Sequence, residues 1–211
     1  MVTEMAINTY EEMNELEIDT LKEIGSIGTG NAATALSGIL NTKIEMSLPE
    51  VELLGFNEAM YAMGDPEDLV AAVLVELSGD IEGVMLFILT QEFADEVLKR
   101  MLGREGVDFF SLDEIDISAL TETGNIMISS YINALASLTN VNVTLSVPQM
   151  SVNMLGGILS IPMATMGYYS DKLMMINAGF RLEGKELKSD MILLPDVESL
   201  NMLMKKLGVD S

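Results

Sequence analysis

Three features of the sequence predict an α/β fold of the α+β type, internally duplicated about a pseudo-two-fold axis. These are two long stretches with helical period, runs of alternating apolar residues after each, and a second half that repeats the order of the first. The expected architecture is two long helices packed on a largely antiparallel sheet of about six strands. One domain spanning 1–211 would then be built from repeats at about 14–103 and 111–208.

Length and composition bound the functions open to such a fold. The 211 residues are 49% apolar, enough to bury a sizeable core. No apolar run reaches the length of a membrane-spanning helix, and the opening MVTEMAINTYEEMNEL lacks the basic-then-apolar order of a signal peptide. The expectation is a soluble cytoplasmic protein without membrane insertion. With no cysteine and no histidine, disulfides, thiolate chemistry, phosphohistidine and the commonest general base and metal ligand are all excluded. The 33 acidic against 11 basic residues, a net charge of −22, argue against a nucleic-acid partner, because phosphate contacts need clustered Lys or Arg. The 18 methionines read as adaptable core filler.

Residues 1–13 read as a lead-in. The first long helix starts near Asn14, which caps while Glu17 reaches back, and runs to about Leu40 with Ile18, Leu21, Gly25, Ala32, Leu36 and Ile39 inward. Its glycine-rich middle, GSIGTGNA, lacks the dinucleotide spacing and follows no strand. Its glycines instead allow close approach of another element. Alternation of Ile44, Met46 and Leu48 predicts a strand that ends at or bends around Pro49. Strands are expected over 69–77 and 84–89, followed by a helix over 91–102 that Thr90 caps and Gly103 ends.

In the second half, Ser111 and Glu114 suggest a capping box for a helix with Ile117, Leu120, Gly124, Tyr131, Leu135 and Leu138 inward. Val143, Leu145 and Val147 alternate up to Pro148; strands over 173–180 and 191–194 and a helix over 196–207, before Gly208, complete the order. Region 155–169 takes no assignment. Laying residue 18 on residue 117 aligns Leu21 with Leu120, Glu23 with Glu122, Gly25 with Gly124, Asn41 with Asn140 and Pro49 with Pro148.

Candidate chemistry sits on the long helices. Ser118, Glu122, Asn125, Ser129 and Asn133 share an arc of roughly 100° opposite the inward stripe, because each residue advances the helix by about 100°. An exposed Glu followed three residues later by Asn is, taken alone, an ordinary solvated pair. The spacing recurs, however. Asp19, Glu23, Ser26 and Pro49 match Ser118, Glu122, Asn125 and Pro148, with 22 residues between the third and fourth positions in both copies.

This pattern, with the phrases KEIGSIGTGNAATALSGIL and ETGNIMISSYINALA, resembles the CheC/CheX/FliY family of phosphatases over most of the chain. Length and two motif copies are similar to the CheC members, since CheX members carry one motif and FliY members append a flagellar-switch domain. The resemblance implies an enzyme, a protein aspartyl-phosphate phosphatase acting on the chemotaxis response regulator CheY. It implies that Asn125 orients the attacking water and Glu122 meets the regulator's lysine, with Mg²⁺ supplied by the regulator and no cofactor or metal of the chain's own. An amide suits the task because it both donates and accepts hydrogen bonds. The first copy departs from the family pattern at Ser26, whose hydroxyl is shorter than an amide, so Glu23 and Ser26 are expected to form the weaker site. Ser118 and Asp19 are expected to support their helices. The resemblance also implies CheD as a second partner, which leaves a CheD-binding module with weak or no hydrolysis, or a flagellar-motor structural protein, as alternative functions.

Overall fold

A computed structural model describes residues 13–46, 50–166 and 172–209. In chain order the elements are α1 (Glu15–Ile39), β1 (Ile44–Met46), β2 (Glu50–Gly55), α2 (Phe56–Met63), β3 (Leu69–Gly79), β4 (Gly83–Leu89), α3 (Gln91–Leu102), α4 (Glu114–Thr139), β5 (Val143–Leu145), β6 (Gln149–Met154), α5 (Leu155–Met166), β7 (Lys172–Leu182), β8 (Lys185–Pro195) and α6 (Val197–Leu207). The lead-in at 1–12, the strand end at Ser47, Leu48 and Pro49, and the end of the unassigned region lie outside the described residues.

Among the described residues, eight strands form one sheet in the order β1-β7-β8-β4-β3-β5, with β2 also on β7 and β6 also on β3. Every pairing is antiparallel. Because β1 and β2 share one edge and β5 and β6 the other, the sheet is six strand positions wide, as the sequence predicts. The edges are exchanged between repeats. β1 and β2 of the first half close on β7 of the second, and β5 and β6 of the second close on β3 of the first. Neither repeat completes its own sheet, so the two halves are interlocked.

One face of the sheet carries α1, α3, α4 and α6 over a core that includes Leu36, Phe87, Phe93, Tyr131, Phe180 and Leu200. The other carries α2 and α5 over Phe56, Ala59, Leu86, Leu155, Ile158 and Ile192. The long helices can sit close because of two glycines. A Cβ on Gly28 would lie 2.5 Å from Tyr131 Cδ2, so the ring of α4 fills the notch in α1; a Cβ on Gly124 would lie 2.5 Å from Val73 Cγ2, so α4 rests directly on β3. Buried methionines at 85, 127, 174, 175, 191 and 204 pack the core as expected.

Several boundaries follow the expectation. Asn14 caps α1 in a reciprocal pair with Glu17, and α3 and α6 end at the left-handed Gly103 and Gly208. The cap of α4 differs. Asp113, not Ser111, accepts the N–H groups of Ile115 and Asp116, while Asp116 takes the Asp113 N–H in place of Glu114. A carboxylate pair wins here because Arg104 Nη1 neutralises it, donating to Asp113 at 2.7 Å and Asp116 at 2.6 Å. Ser111 Oγ instead donates to the Asp108 carbonyl. The inward stripe of α4 is also displaced. Ile117 and Leu138 are 43% and 48% exposed, because the helix packs on both α1 and the sheet and buries Asp116, Ala119, Thr123, Met127, Ile128 and Ile132 besides Leu120, Tyr131 and Leu135.

The chain does not end its strands at the motif proline of the second repeat; it bends there and continues as β6, then α5. β2 and α2 are the counterparts in the first repeat. β8 begins at Lys185 rather than 191, because Glu183 and Gly184 take positive φ of 50° and 86° and form a tight hairpin with β7.

Candidate functional site

The six motif residues fall into two clusters, each carried by one helix. Asp19 and Glu23 are exposed on α1 with Ser26 half-buried; Ser118 and Glu122 are exposed on α4 with Asn125 half-buried. Pro148 is half-buried between β5 and β6. Among the described residues, Glu23 and Glu122 have neither a hydrogen bond nor an ion pair, so both carboxylates are available to a partner.

The clusters differ in how the third residue is held. Ser129 Oγ, one turn further along α4, donates to Asn125 Oδ1 at 3.4 Å. That bond occupies one lone pair of the amide oxygen, leaves the second free, and turns the amide nitrogen away from Ser129. In α1 the Ser26 hydroxyl donates at 3.0 Å to the Lys22 carbonyl of its own helix, and the position matching Ser129 is Gly30, which has no side chain to assist it. Ser26 is therefore both shorter and bonded back onto its own helix.

Local charge differs too. Lys22 sits beside Glu23 and pairs with Asp19 at 3.3 Å; at the matching position α4 carries Thr121, whose hydroxyl bonds the Ile117 carbonyl. The first cluster is thus partly neutralised, whereas the second presents Glu122 with no cation on its own turn. An incoming lysine would meet a like charge at the first cluster and a bare carboxylate at the second. Ile115, 57% exposed, continues the line of Ser118, Glu122 and Asn125 towards the start of the helix and adds an apolar contact at its rim.

Sequence reasoning put Ser129 on this arc without a role, and nothing in the residue string marks its hydrogen bond. It also missed Arg104, which fixes the start of α4. The bonds that Asp113 accepts, first from the Asp116 N–H and then from Arg104, hold its carboxyl below the usual range. Tyr131, the ring that locks α4 to α1, is fully buried, and burial pushes its phenol up. Among the described residues, no three acidic side chains stand close enough to share a metal ion, and no helix is long and apolar enough to cross a membrane.

Comparison with known proteins matches the profile of the CheC-like family to residues 16–53 and 115–152, the two segments that carry these clusters. The CheY-P phosphatase CheC of Bacillus subtilis is 32% identical over 206 residues, covering 96% of this chain and 99% of that protein. The crystal structure of Thermotoga maritima FliY superposes with a TM-score of 0.71 at 22% identity, covering 95% of this chain and all of that one. A chain of the CheX-CheY-BeF3-Mg²⁺ complex of Borrelia burgdorferi superposes with a TM-score of 0.52 at 19% identity over 85% of this chain and 99% of that one. The paired helical segments, the six-position sheet they cover and the full-length similarity together identify this chain as a member of the CheC-like family.

Proposed function

We propose that the chain is a phosphatase for the aspartyl-phosphate of a CheY-type response regulator, with the second cluster as the working site. Glu122 docks on the regulator's phosphate-contacting lysine while Asn125 enters the phosphorylated pocket. There the free lone pair of Asn125 Oδ1 accepts a hydrogen bond from water and turns the water's oxygen towards phosphorus. The new P–O bond forms as the bond to the aspartyl oxygen breaks; the carboxylate leaves, and the proton released from water passes to orthophosphate or solvent. The regulator holds its own Mg²⁺ and lysine, so this chain contributes position rather than new charge.

The observation that carries the reading is the pairing of an exposed Glu122, unpartnered among the described residues, with the Asn125 amide one helical turn away, towards which Ser129 donates at 3.4 Å. The full-length relative named a CheY-P phosphatase supports the substrate class. At the first cluster, Glu23 engages a regulator while Ser26, bonded to its own backbone, turns over little phosphate. CheD is a second proposed partner, tested by co-purification. The phosphatase reading is tested by adding the purified chain to a CheY-type regulator labelled with acyl-phosphate and timing label loss. Acceleration well above the regulator's own rate supports it; an unchanged rate contradicts it.

A further inference from the structure

On the sheet face opposite the two motif clusters, a cavity of about 370 Å³ opens where α2, α5 and the start of α3 meet the sheet. Met63, Ile88 and Leu155 line its walls, Asp68 and Glu92 stand at its mouth, and Asp190 of β8 forms part of its floor. Along β8, Ile192 and Leu194 point to the same side and are buried in the α2/α5 core. Asp190 is the charged residue in that apolar row.

Three carboxylates of the described chain are buried: Glu17, Asp116 and Asp190. Two have evident reasons. Glu17 accepts the Asn14 N–H at 2.7 Å, and Asp116 accepts from Arg104 and the Asp113 N–H. Among the described residues, the side chain of Asp190, a residue 7% exposed, has neither a hydrogen bond nor an ion pair. No side-chain polar atom among the described residues is both sealed from solvent and unpartnered, so the Asp190 oxygens open into the cavity. Burial raises this carboxyl to about 6, with the charge of Lys188 pulling it the other way. A desolvated, unpaired carboxylate is unfavourable to keep, and a cationic ligand is what relieves it.

We propose that this cavity binds an organic cation, an ammonium or guanidinium group on a short apolar arm, with Asp190 as its counter-ion. A metal ion suits the site poorly, because its acids do not converge as a ligand set. The apolar walls suit an alkyl arm, and the volume lies at the small end of the range for ligand pockets, roughly 300–1,000 Å³. Asp68 and the overall charge of −22 draw cations to the mouth, while Glu92 is partly neutralised by Lys185 at 3.2 Å. The site is independent of the proposed hydrolysis, being built on the other face of the sheet from different elements.

Such a group occurs on a free amine or on the basic side chain of a protein, and the test separates them. Agmatine and the blocked peptide acetyl-Gly-Arg-Gly-amide are titrated into the ¹⁵N-labelled chain, with n-pentanol as the neutral control. Saturable binding of at least one cation that shifts the amide signals of Ile88, Leu155 and Asp190, without pentanol binding equally, supports the proposal. Tighter binding of the peptide points to a protein side chain, and tighter binding of agmatine to a free amine. Asp190→Asn should weaken the cation by roughly tenfold or more. Absence of saturable binding by either cation, shifts confined to α4, or equal affinity in Asp190→Asn would overturn it. The wild-type shift map keeps the test decisive should the variant fold poorly.

Discussion

Replacing Gly124 by alanine and Gly30 by alanine adds the same methyl group to matching helices and should have opposite effects. In a helix interior, Gly→Ala is favourable by about 0.5–1 kcal/mol from backbone entropy and propensity. At Gly30 nothing lies within 4 Å of the new Cβ, so that gain should be realised in full. At Gly124 the Cβ would stand 2.5, 2.6 and 3.0 Å from Val73 Cγ2, Cβ and Cγ1, where carbon atoms normally keep about 3.5–4.0 Å. Val73 cannot retreat: it is fully buried on β3, which is paired with β4 on one side and β6 on the other. Helix α4 must therefore lift by about 1 Å, an overpacking that costs about 1–3 kcal/mol and outweighs the propensity gain. The net expectation is a loss of about 1–2 kcal/mol for Gly124→Ala against a gain of up to about 1 kcal/mol for Gly30→Ala, a separation of roughly 5–10 °C in Tm for a chain of this size. Urea denaturation followed by circular dichroism measures both. Equal stability of the two variants would refute the close seating of α4 on β3. Because Asn125 is the next residue, Gly124→Ala should also lower phosphatase activity at temperatures where the variant remains folded.

Three further outcomes follow from named contacts. Ser129→Ala should leave urea stability within about 0.5 kcal/mol while lowering kcat for regulator dephosphorylation more than it raises KM, since it frees the Asn125 amide to rotate; an unchanged kcat would remove Ser129 from the mechanism. Arg104→Ala should lower the thermal midpoint, because Asp116 stays buried without its cation, and an unchanged midpoint would show that water replaces the guanidinium. For Asp190 the pH dependence has a definite sign. Burial raises the folded-state carboxyl from 3.8 to about 6, so ionisation opposes folding. Its destabilisation is fully present above about pH 6 and vanishes below about pH 4; the shift corresponds to about 3 kcal/mol. Asp190→Asn should therefore be more stable than the parent at pH 7.5 by up to that amount, with the difference closing by pH 4. A difference in urea midpoint that does not change with pH would contradict this.

The parts of the fold legible in the residue string were those with local, periodic signals. Both long helices announced themselves by spacing, the Asn14 and Glu17 cap by residue type, and the duplication by Glu23 and Glu122 each followed by glycine two positions on. What was not legible depended on distant partners. β2 and β6 do alternate, with Val51 and Leu53 in one and Met150, Val152 and Met154 in the other, but each follows a motif proline that reads as a strand end and each pairs with a strand of the other repeat. The early start of β8 was masked by its polar run Lys185–Asp190, where only the hairpin at Glu183 and Gly184 signals a turn. At the site, the residue types and their spacing could be read, but the difference between the copies could not. Whether a serine bonds its own backbone, as Ser26 does, or a neighbouring amide, as Ser129 does, is decided by which side chain lies one turn away. The carboxylate in the α2/α5 cavity was invisible for a related reason: Asp190 reads as an ordinary polar residue at a strand margin until β4 and β7 enclose it.

The measurement that bears most directly on the central claim is phosphate release from a phosphorylated CheY-type regulator by Asn125→Ala and Ser26→Ala, each compared with the parent chain at matched folded fraction. Loss of a water-orienting amide should lower the rate on the order of 10²-fold for Asn125→Ala, while Ser26→Ala should stay within about twofold. Equal losses in the two variants, or full activity without Asn125, would contradict it.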